Sequence, residues 1–319
     1  MKLLIYGAGT IGTAYGWLVS CNNEVDFYGK SDTEKEITIS YKDLRKRSTI
    51  YQTMKFERRI ITHIEDHYDA IIVAVNRFQL CSVLPHLKEL KNKTKYFVFM
   101  QNNWNIKNEI DPYLSQDDYL IAFPSSIGGG RDEKGLHIII FDEATRLGGS
   151  SIYLPHFSSL LQNSSINITV DKNIFEWLKV HYLQQAITAG VIAEYGSFEN
   201  VITNPNAIKK MVLAFREGIQ VCRLLGVRTY RIFPAYLFNL PVFLIARILQ
   251  KMIWLISPLF LVIILRSFCG DTWKEHGYHL NIKKHRTMYL VSFLIYPVVA
   301  TLIILIGLLF NGISLGKMN

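Results

Sequence analysis

A glycine-rich turn joins the first predicted strand of the chain to a helix. The apolar run Lys2–Tyr6 ends in the sequence GAGTIG at residues 7–12, and the helix-forming segment Thr13–Ser20 follows at once. In this setting the glycines permit a tight turn, close approach of a pyrophosphate to the backbone and close packing of helix on strand, with the helix N-terminus facing the phosphates. A tight turn without a ligand is the alternative. The predicted cofactor-binding residues of the turn are Gly7, Gly9, Thr10, Ile11 and Gly12.

The first half of the chain alternates strand-like and helix-like segments, the pattern of a doubly wound α/β domain. YDAIIVAV (Tyr68–Val75) and YFVFM (Tyr96–Met100) are continuous apolar runs, as expected for parallel strands buried on both faces. HIIIF (His137–Phe141) and INITV (Ile166–Val170) are predicted to be antiparallel strands that close the domain. The other predicted elements of this half are strands at Glu24–Tyr28 and Tyr119–Ala122 and a helix at Phe78–Leu90.

From Asn173 onward the apolar residues recur with helical spacing, which predicts two long helices at Phe175–Glu194 and Ala207–Leu225. We therefore expect an α/β fold in which an N-terminal Rossmann-type doubly wound sheet precedes an all-helical C-terminal domain. The predicted domains are a nucleotide-binding domain at 1–170 and a helical substrate domain at 171–287.

A long apolar segment lies near the end of the sequence. Residues 288–310 carry no charged side chain, which meets the length criterion for a transmembrane helix. Basic residues before the segment would keep the N-terminal body on the cytoplasmic side. A buried terminal helix is the alternative. The shorter apolar runs 232–246 and 252–265 are interrupted by prolines and are predicted to be buried or interfacial helices.

Composition restricts the cellular setting and the partners. The four cysteines are scattered without metal-ligand spacing, so with no signal peptide we expect no metal and a reducing, cytoplasmic location. The net charge is +9, yet no nucleic-acid recognition motif accompanies it, so we expect no nucleic-acid partner. A basic chain suits a phosphorylated cofactor or an anionic membrane surface. Mean hydropathy is +0.16, high for a soluble enzyme.

The end of the second predicted strand indicates which nucleotide is bound. A carboxylate at this point would accept from the ribose 2′-hydroxyl of NAD. Here the strand VDFY (Val25–Tyr28) is followed by Gly29, Lys30 and Ser31. A cation and a hydroxyl suit the 2′-phosphate of NADP, so Lys30 is a predicted cofactor-binding residue and NADP the predicted cofactor.

Several segments together resemble the ketopantoate reductase (2-dehydropantoate 2-reductase) family. Besides the glycine turn, AVNRFQL (Ala74–Leu80) resembles that family's AVKAxQ-like segment, and FMQNN (Phe99–Asn103) its QNG or HNG turn. TRLGGS (Thr145–Ser150) is similar to its late-strand element. The resemblance covers most of residues 1–225, with patches near 267–279. It implies an NADPH-binding domain, a helical second domain and a substrate cleft between them, where hydride transfer converts a 2-oxo acid to a 2-hydroxy acid.

The family's catalytic residues do not all match. Aligned on Thr188 and Ala189, the catalytic lysine of the family becomes Trp177, and its two asparagines become His181 and Gln185. This i, i+4, i+8 row shares one helical face. Lys179 is the alternative catalyst, but two residues along a helix is a rotation of about 200°. The resemblance implies four further positions. Asn76 stands where the family has a lysine, with Arg77 the nearest cation, and His279 stands where it has a glutamate. Asn102 is retained, and Ser267 is retained as a carboxylate binder.

Reduction of a ketone requires a proton donor within reach of the forming alkoxide. The predicted catalytic residues are His181, His279 and Asn102, because an imidazole titrates near neutrality; His276 is a weaker candidate. Asn76 and Asn102 are predicted to contact the cofactor as well. The predicted substrate-binding residues are Trp177, Gln185 and Ser267.

The predicted function is NADP-dependent reduction of the carbonyl of a 2-oxo acid or a related substrate. The alternative is a catalytically impaired, membrane-associated protein that binds NADP. The expected partners are a small-molecule carbonyl substrate, the membrane through residues 288–310, and a second copy in a homodimer. Loss of the lysines argues against ketopantoate itself, and the apolar second domain suggests a bulkier, more hydrophobic carbonyl compound.

Overall fold

The structure, a computed structural model, describes residues 1–29, 35–46 and 50–246, all within one compact unit spanning Met1–Cys269. Several predictions fall outside these ranges: Lys30, Ser267, His276, His279 and the apolar segments 252–265 and 288–310. Within the described ranges, no helix is both long enough and apolar enough to cross a membrane.

An eight-stranded sheet forms the centre of the unit, with the spatial order β12-β11-β8-β7-β6-β1-β2-β5. Neighbouring strands are parallel except for β11, which runs antiparallel to β8. In chain order these strands are β1 (Lys2–Tyr6), β2 (Glu24–Tyr28), β5 (Arg59–Ile61), β6 (Ala70–Val73), β7 (Phe97–Met100), β8 (Tyr119–Phe123), β11 (Thr145–Gly148) and β12 (Ile168–Val170).

The central strands are apolar because helices cover both faces of the sheet. Every residue of β6 and β7 is buried, as the continuous apolar runs predicted. The side chains of alternate residues enter two separate cores, one containing Leu3 and Ile5 and the other Leu4 and Tyr6. The doubly wound architecture is thus confirmed, with strand bounds that differ from the predicted ones by a few residues.

A second, four-stranded sheet was not predicted. Its order is β4-β3-β10-β9, formed by β3 (Glu36–Asp43), β4 (Gln52–Glu57), β9 (Ile127–Asp132) and β10 (Gly135–Ile140). The segment HIIIF therefore belongs to this sheet, where β10 runs antiparallel to β9 and parallel to β3. INITV contributes β12, which is parallel to β11 rather than antiparallel. Both differences concern pairing between segments distant in sequence, which local pattern does not specify.

Helices accompany the sheets in the described part of the chain, and residues 242–246 are also helical. The numbered helices are α1 (Thr10–Val19), α2 (Arg77–Glu89), α3 (Ile106–Ile110), α4 (Leu154–Asn163), α5 (Ile174–Tyr195), α6 (Phe198–Thr203) and α7 (Pro205–Leu224). The two long predicted helices are α5 and α7, which pack against each other. After α7 the backbone forms two 3-10 turns at Thr229–Arg231 and Ala235–Asn239. The second turn lies within the apolar run 232–246, for which a helix was predicted, and residues 242–246 of that run are helical.

Helix α5 connects the sheet to the helices that follow it. Ile174 and Leu178 are buried with the residues of β6, β7 and β8. Val180, on another side of the same helix, is buried with Phe215 and Ile219 of α7. Packing into both cores therefore fixes where α5 lies against the sheet and against α7.

Glycine at position 16 is required for the packing of α1 on β2. A Cβ atom there would lie 2.5 Å from Cζ of Phe27, which is fully buried. Gly16→Ala should therefore lower the free energy of unfolding by roughly 1–3 kcal/mol through overpacking. Chemical denaturation of the two proteins measures the difference.

Gly190→Ala is the matched control, because Gly190 lies within α5 and a Cβ there would meet nothing within 4 Å. This variant should be more stable by about 0.5–1 kcal/mol, since alanine favours a helix interior over glycine. Equal effects at both positions would contradict the close packing of α1 on β2.

Candidate active site

The glycine turn after β1 is shaped by close backbone approach. Gly7 has φ +109°, a conformation that side-chain-bearing residues rarely adopt, and a Cβ on Gly12 would lie 2.0 Å from the carbonyl oxygen of Gly7. A Cβ on Gly9, by contrast, would meet nothing within 4 Å. The turn is thus tightly packed on the protein side and open beside Gly9.

The first amides of α1 point out of this turn. The first helical hydrogen bond runs from the amide of Thr13 to the carbonyl oxygen of Gly9 (2.9 Å), so the amides of Thr10, Ile11 and Gly12 have no partner within the helix. No acidic residue lies in the first turn, and no side chain caps the helix. Free amides at a helix N-terminus beside open space fit the pyrophosphate of a dinucleotide.

Asp26, the carboxylate within β2, has its partners inside the protein. Asp26 is fully buried, accepts a hydrogen bond from the Tyr68 hydroxyl (2.7 Å) and lies 3.2 Å from Nε of Arg59. Its carboxylate is therefore unavailable to a ribose. The strand ends at Tyr28, and Lys30 lies outside the described residues.

The two residues after β6 have local structural partners. Asn76 caps α2: its side chain accepts from the backbone at Gln79, and the Gln79 side chain accepts from the Asn76 amide (3.1 Å). The Arg77 guanidinium donates to Asn103 (3.3 Å) and lies 3.3 Å from a carboxylate oxygen of Glu109. Asn76 follows β6 at the carboxyl edge of the sheet, and its side-chain oxygen is engaged in capping α2. The Arg77 side chain points toward α3.

The structure brings Asn102 and Gln185 together. The Asn102 side-chain amide donates to the Gln185 side-chain oxygen, linking the loop after β7 to α5. The preceding residue, Gln101, donates to the carbonyl oxygen of Val75 (2.8 Å), after β6. Since β1, β6 and β7 are adjacent and parallel, these residues lie at the same carboxyl edge of the sheet as the glycine turn.

The predicted row on α5 continues from this contact along the edge. The rings of Trp177 and His181 stack with centroids 4.6 Å apart and an interplanar angle of 14°. Phe123, the last residue of β8, meets the His181 ring edge-on at 4.4 Å and the Trp177 ring at 5.1 Å. Gln185, His181 and Trp177 thus run from the end of β7 to the end of β8.

Arg146 is a site residue that the sequence analysis did not identify. It lies opposite Phe123 in the antiparallel β8–β11 pair, and its guanidinium lies 4.4 Å from the Trp177 ring centroid. Asp171 fixes the guanidinium through a 2.8 Å hydrogen bond and itself accepts from the amide of Asn173 (2.8 Å). A cation therefore adjoins position 177, where the sequence has no lysine. Only the fold brings β11 to this position, and no sequence motif indicated it.

Lys179, the alternative catalyst, faces another direction. It influences the thiol of Cys222 on α7 electrostatically, whereas Trp177 and His181 face the sheet edge. The helical rotation between positions 177 and 179 had predicted this difference.

The His181 imidazole is held toward its neutral form. Burial lowers its pKa below the ordinary value of 6.5, and the nearby Arg146 guanidinium lowers the pKa further. Its Nε2 atom is buried and has no hydrogen-bond partner among the described residues.

Two further acceptors at this edge are unsatisfied. The side-chain oxygens Oε1 of Gln101 and Oδ1 of Asn102 are buried without a partner in the described part of the chain. Buried polar atoms without partners are rare and require an explanation. Together with Nε2 of His181, they form a set of polar atoms that a bound molecule or water could satisfy.

A cavity of about 510 Å³ adjoins the aromatic row. Trp177 and His181 line it together with Arg146 and Asp171 from the sheet side. The segment after α7 contributes the opposite wall through Arg231 and residues 232–234. Its size is in the range of small-molecule sites, and it combines apolar walls with a few polar groups.

Comparison with known proteins agrees with this architecture. Residues 3–151 match the model of the family described as ketopantoate reductase PanE/ApbA. No curated protein sequence matches the chain significantly.

Solved structures of similar fold share little sequence identity with the chain. The dimeric ketopantoate reductase of Staphylococcus aureus superposes with a TM-score of 0.58 at 19% identity, covering 77% of this chain and 80% of that one. A probable 2-dehydropantoate 2-reductase from Bacillus subtilis gives 0.58 at 18% identity, with coverages of 70% and 76%. D-mandelate dehydrogenase in a ternary structure with NADH and anilino(oxo)acetate gives 0.60 at 15% identity, with coverages of 75% and 77%.

The matched residues contain the glycine turn, the Asn102 loop and Arg146, and the fold continues into the helices as in these structures. Residues 3–151 thus match the ketopantoate reductase family model, and the described residues share the fold of these solved structures.

Proposed function

We propose that the chain is an NADPH-dependent reductase that converts the carbonyl of a 2-oxo acid or a related compound to an alcohol. One observation carries the proposal: three buried polar atoms on Gln101, Asn102 and His181, which have no hydrogen-bond partner in the described part of the chain, lie along the sheet edge that also holds the glycine turn. The edge combines a phosphate-binding turn, acceptors for a donor-bearing ligand and a titratable imidazole beside a cavity.

The glycine turn would hold the pyrophosphate through the free amides of α1. The unsatisfied oxygens of Gln101 and Asn102 match the N–H donors of a nicotinamide carboxamide. Lys30 and Ser31 support NADP rather than NAD on the chemistry of the 2′-phosphate. Bound NADPH supplies the hydride that reaches the carbonyl carbon.

His181 would donate the proton that the carbonyl oxygen requires. His181 lines the cavity, and its buried Nε2 atom has no hydrogen-bond partner among the described residues, which leaves that position for a substrate oxygen. In the reverse direction the neutral imidazole accepts the hydroxyl proton. The lowered pKa of His181 favours that neutral form at pH 7.

Trp177 and Arg146 would position this imidazole. Trp177 stacks on the ring, and Arg146 covers the Trp177 indole while Asp171 fixes the guanidinium. Asn102 holds the same helix through Gln185. The roles proposed here for Trp177 and Gln185 are thus to hold α5 and the substrate rather than to react. Ser267 and His279 remain sequence-based candidates.

The substrate we propose is bulkier or more hydrophobic than ketopantoate. The family lysine is replaced by Trp177, and the cavity wall is apolar at Ile232, Phe233 and Pro234. The relative bound to anilino(oxo)acetate shows that this fold accepts an aromatic 2-oxo acid derivative in another protein.

A nucleotide-binding protein without turnover is the second candidate. It is favoured by two observations: no lysine lines the cavity within the described ranges, and the pKa of His181 is lowered away from the protonated form that donates. Membrane association through residues 288–310, a cytoplasmic location and a homodimer are further proposals. The homodimer is supported by the dimeric S. aureus relative.

Gly9→Ala tests the nucleotide site. Its φ of −74° suits alanine and its surroundings are open, so the fold should tolerate the change within about 1 kcal/mol. The methyl group would occupy the space that the pyrophosphate needs, so the Kd for NADPH should rise at least about tenfold. Fluorescence titration with NADPH and thermal melting measure the two effects.

Gly130→Ala is the matched control, because a Cβ at this exposed glycine of β9 also meets nothing within 4 Å. Its affinity for NADPH should equal that of the wild type. Parallel titration with NADH tests the preference for NADP. Unchanged NADPH affinity in Gly9→Ala would contradict the phosphate site.

The pH dependence of turnover tests His181. Because its pKa is lowered below 6.5, reduction should be fastest in acid and fall about tenfold per pH unit above that pKa, whereas the reverse oxidation should rise and level off. His181→Gln should abolish the pH dependence of both reduction and oxidation. It should lower kcat about 10²- to 10⁴-fold and leave the Kd for NADPH unchanged.

Arg146→Met removes a positive charge beside the imidazole, so the pKa of His181 should rise. The pH above which the rate of reduction falls should therefore be higher than in the wild type. A His181→Gln enzyme with wild-type rates and pH profile would eliminate the proposed proton donor.

A further inference from the structure

Each of the two carboxylates that line the cavity is paired with an arginine. Asp171 is neutralised by Arg146, with 2.8 Å between the carboxylate oxygen and the guanidinium. Glu176, the other lining carboxylate, binds Arg228 through both of its oxygens, the shortest contact being 2.7 Å. Both carboxylates are therefore paired, each with its own arginine.

Arg231 is the remaining charged residue of the lining. Its guanidinium has no hydrogen bond or ion pair to any residue in the described ranges and lies 5.4 Å from the Tyr230 ring centroid. Three arginines thus face two carboxylates in and beside the cavity. The excess is one positive charge, which fits a ligand that carries one negative charge.

The backbone that carries Arg231 is fixed in place. Arg228 donates to Glu176 and to the side-chain oxygen of Asn173, which ties the chain after α7 to the start of α5. Thr229 is buried and accepts from Arg223 (3.0 Å). The 3-10 turn Thr229–Arg231 therefore presents Arg231 from a rigid support rather than from a loose loop.

Apolar side chains adjoin this cation. Ile232 is buried, Phe233 is 66% exposed although it lines the cavity, and Trp177 lies on α5 within the same lining. A phenyl-sized group would cover apolar surface of Phe233 that is otherwise in contact with water, at about 25 cal/mol per Å². A cavity of about 510 Å³ has room for such a group together with a carboxylate.

We propose that Arg231 binds the carboxylate of a monoanionic ligand whose apolar, ring-sized body packs between Trp177 and Phe233. This inference rests on the proposed function, because the ligand would be the 2-oxo acid that the enzyme reduces. Arg231 and Phe233 are then specificity-determining residues: the first selects acids over neutral carbonyl compounds, and the second selects large side chains over small ones.

Calorimetric titration of the full chain, with and without NADP⁺, tests the inference directly. The probes are 3-phenylpropanoate, its neutral amide and acetate. Wild-type protein should bind the phenyl-bearing acid more tightly than either other probe. Arg231→Gln should weaken binding of the acid about ten- to a hundredfold and leave binding of the amide unchanged.

Two matched variants complete the experiment. Arg131→Gln removes the same charge from an exposed position in β9 and should bind like the wild type. Phe233→Ala should weaken binding of 3-phenylpropanoate and leave binding of acetate unchanged. Thermal melting verifies that each variant is folded. Equal binding by Arg231→Gln and Arg131→Gln would overturn the inference, as would failure of the wild type to bind the acid under either condition.

The failure of the proposed function gives a different result. If the acid binds through Arg231 but no 2-oxo acid oxidises NADPH, then the reductase activity is wrong and the carboxylate site stands. If aromatic 2-oxo acids are reduced with equal efficiency by Arg231→Gln and the wild type, then the activity stands and the carboxylate site is wrong.

Discussion

The position of α5 depends on its packing into two hydrophobic cores at once. Ile174 and Leu178 are buried against the central strands, and Val180 is buried against α7. Gly148 of β11 allows this approach, because a Cβ there would lie 2.5 Å from Ile174. Since the sheet and α7 together determine where the helix lies, they also determine which of its side chains reach the carboxyl edge of the sheet.

That position explains the chemistry of the edge. The imidazole of His181 stacks on the Trp177 ring and meets the Phe123 ring edge-on, and burial together with the charge of Arg146 lowers its pKa. An environment of this kind favours proton acceptance at neutral pH and proton donation in acid. If His181 is the proton donor, as proposed, the rate of carbonyl reduction depends on pH through this residue, whose pKa is lowered first by burial and then by the Arg146 charge.

Much of the framework was predictable because its signals are local. The strand at Lys2–Tyr6, the glycine turn and the apolar runs that became β6 and β7 are contiguous patterns, and so is the helical face shared by Trp177, His181 and Gln185. The second sheet could have been suspected from the alternating apolar residues of Glu36–Asp43.

The remaining features depend on contacts between distant segments. Arg146 reaches Trp177 only because β11 pairs with β8, and Arg231 reaches the cavity only because Arg228 binds Glu176 across 52 residues of sequence. The spacing of residues along the sequence does not indicate that these residues come into contact. Asn76 illustrates the converse: its place in the motif suggested a ligand contact, and the structure shows that its side chain also caps α2.

The central claim is that nucleotide and substrate meet at the edge where Asn102 contacts α5. A crystal structure of the protein with NADP⁺ tests this most directly. We expect the pyrophosphate at the amides of residues 10–12 and the nicotinamide beside Asn102 and the unsatisfied oxygen of Gln101. A nucleotide bound elsewhere, or a nicotinamide directed away from Asn102 and His181, would contradict this arrangement.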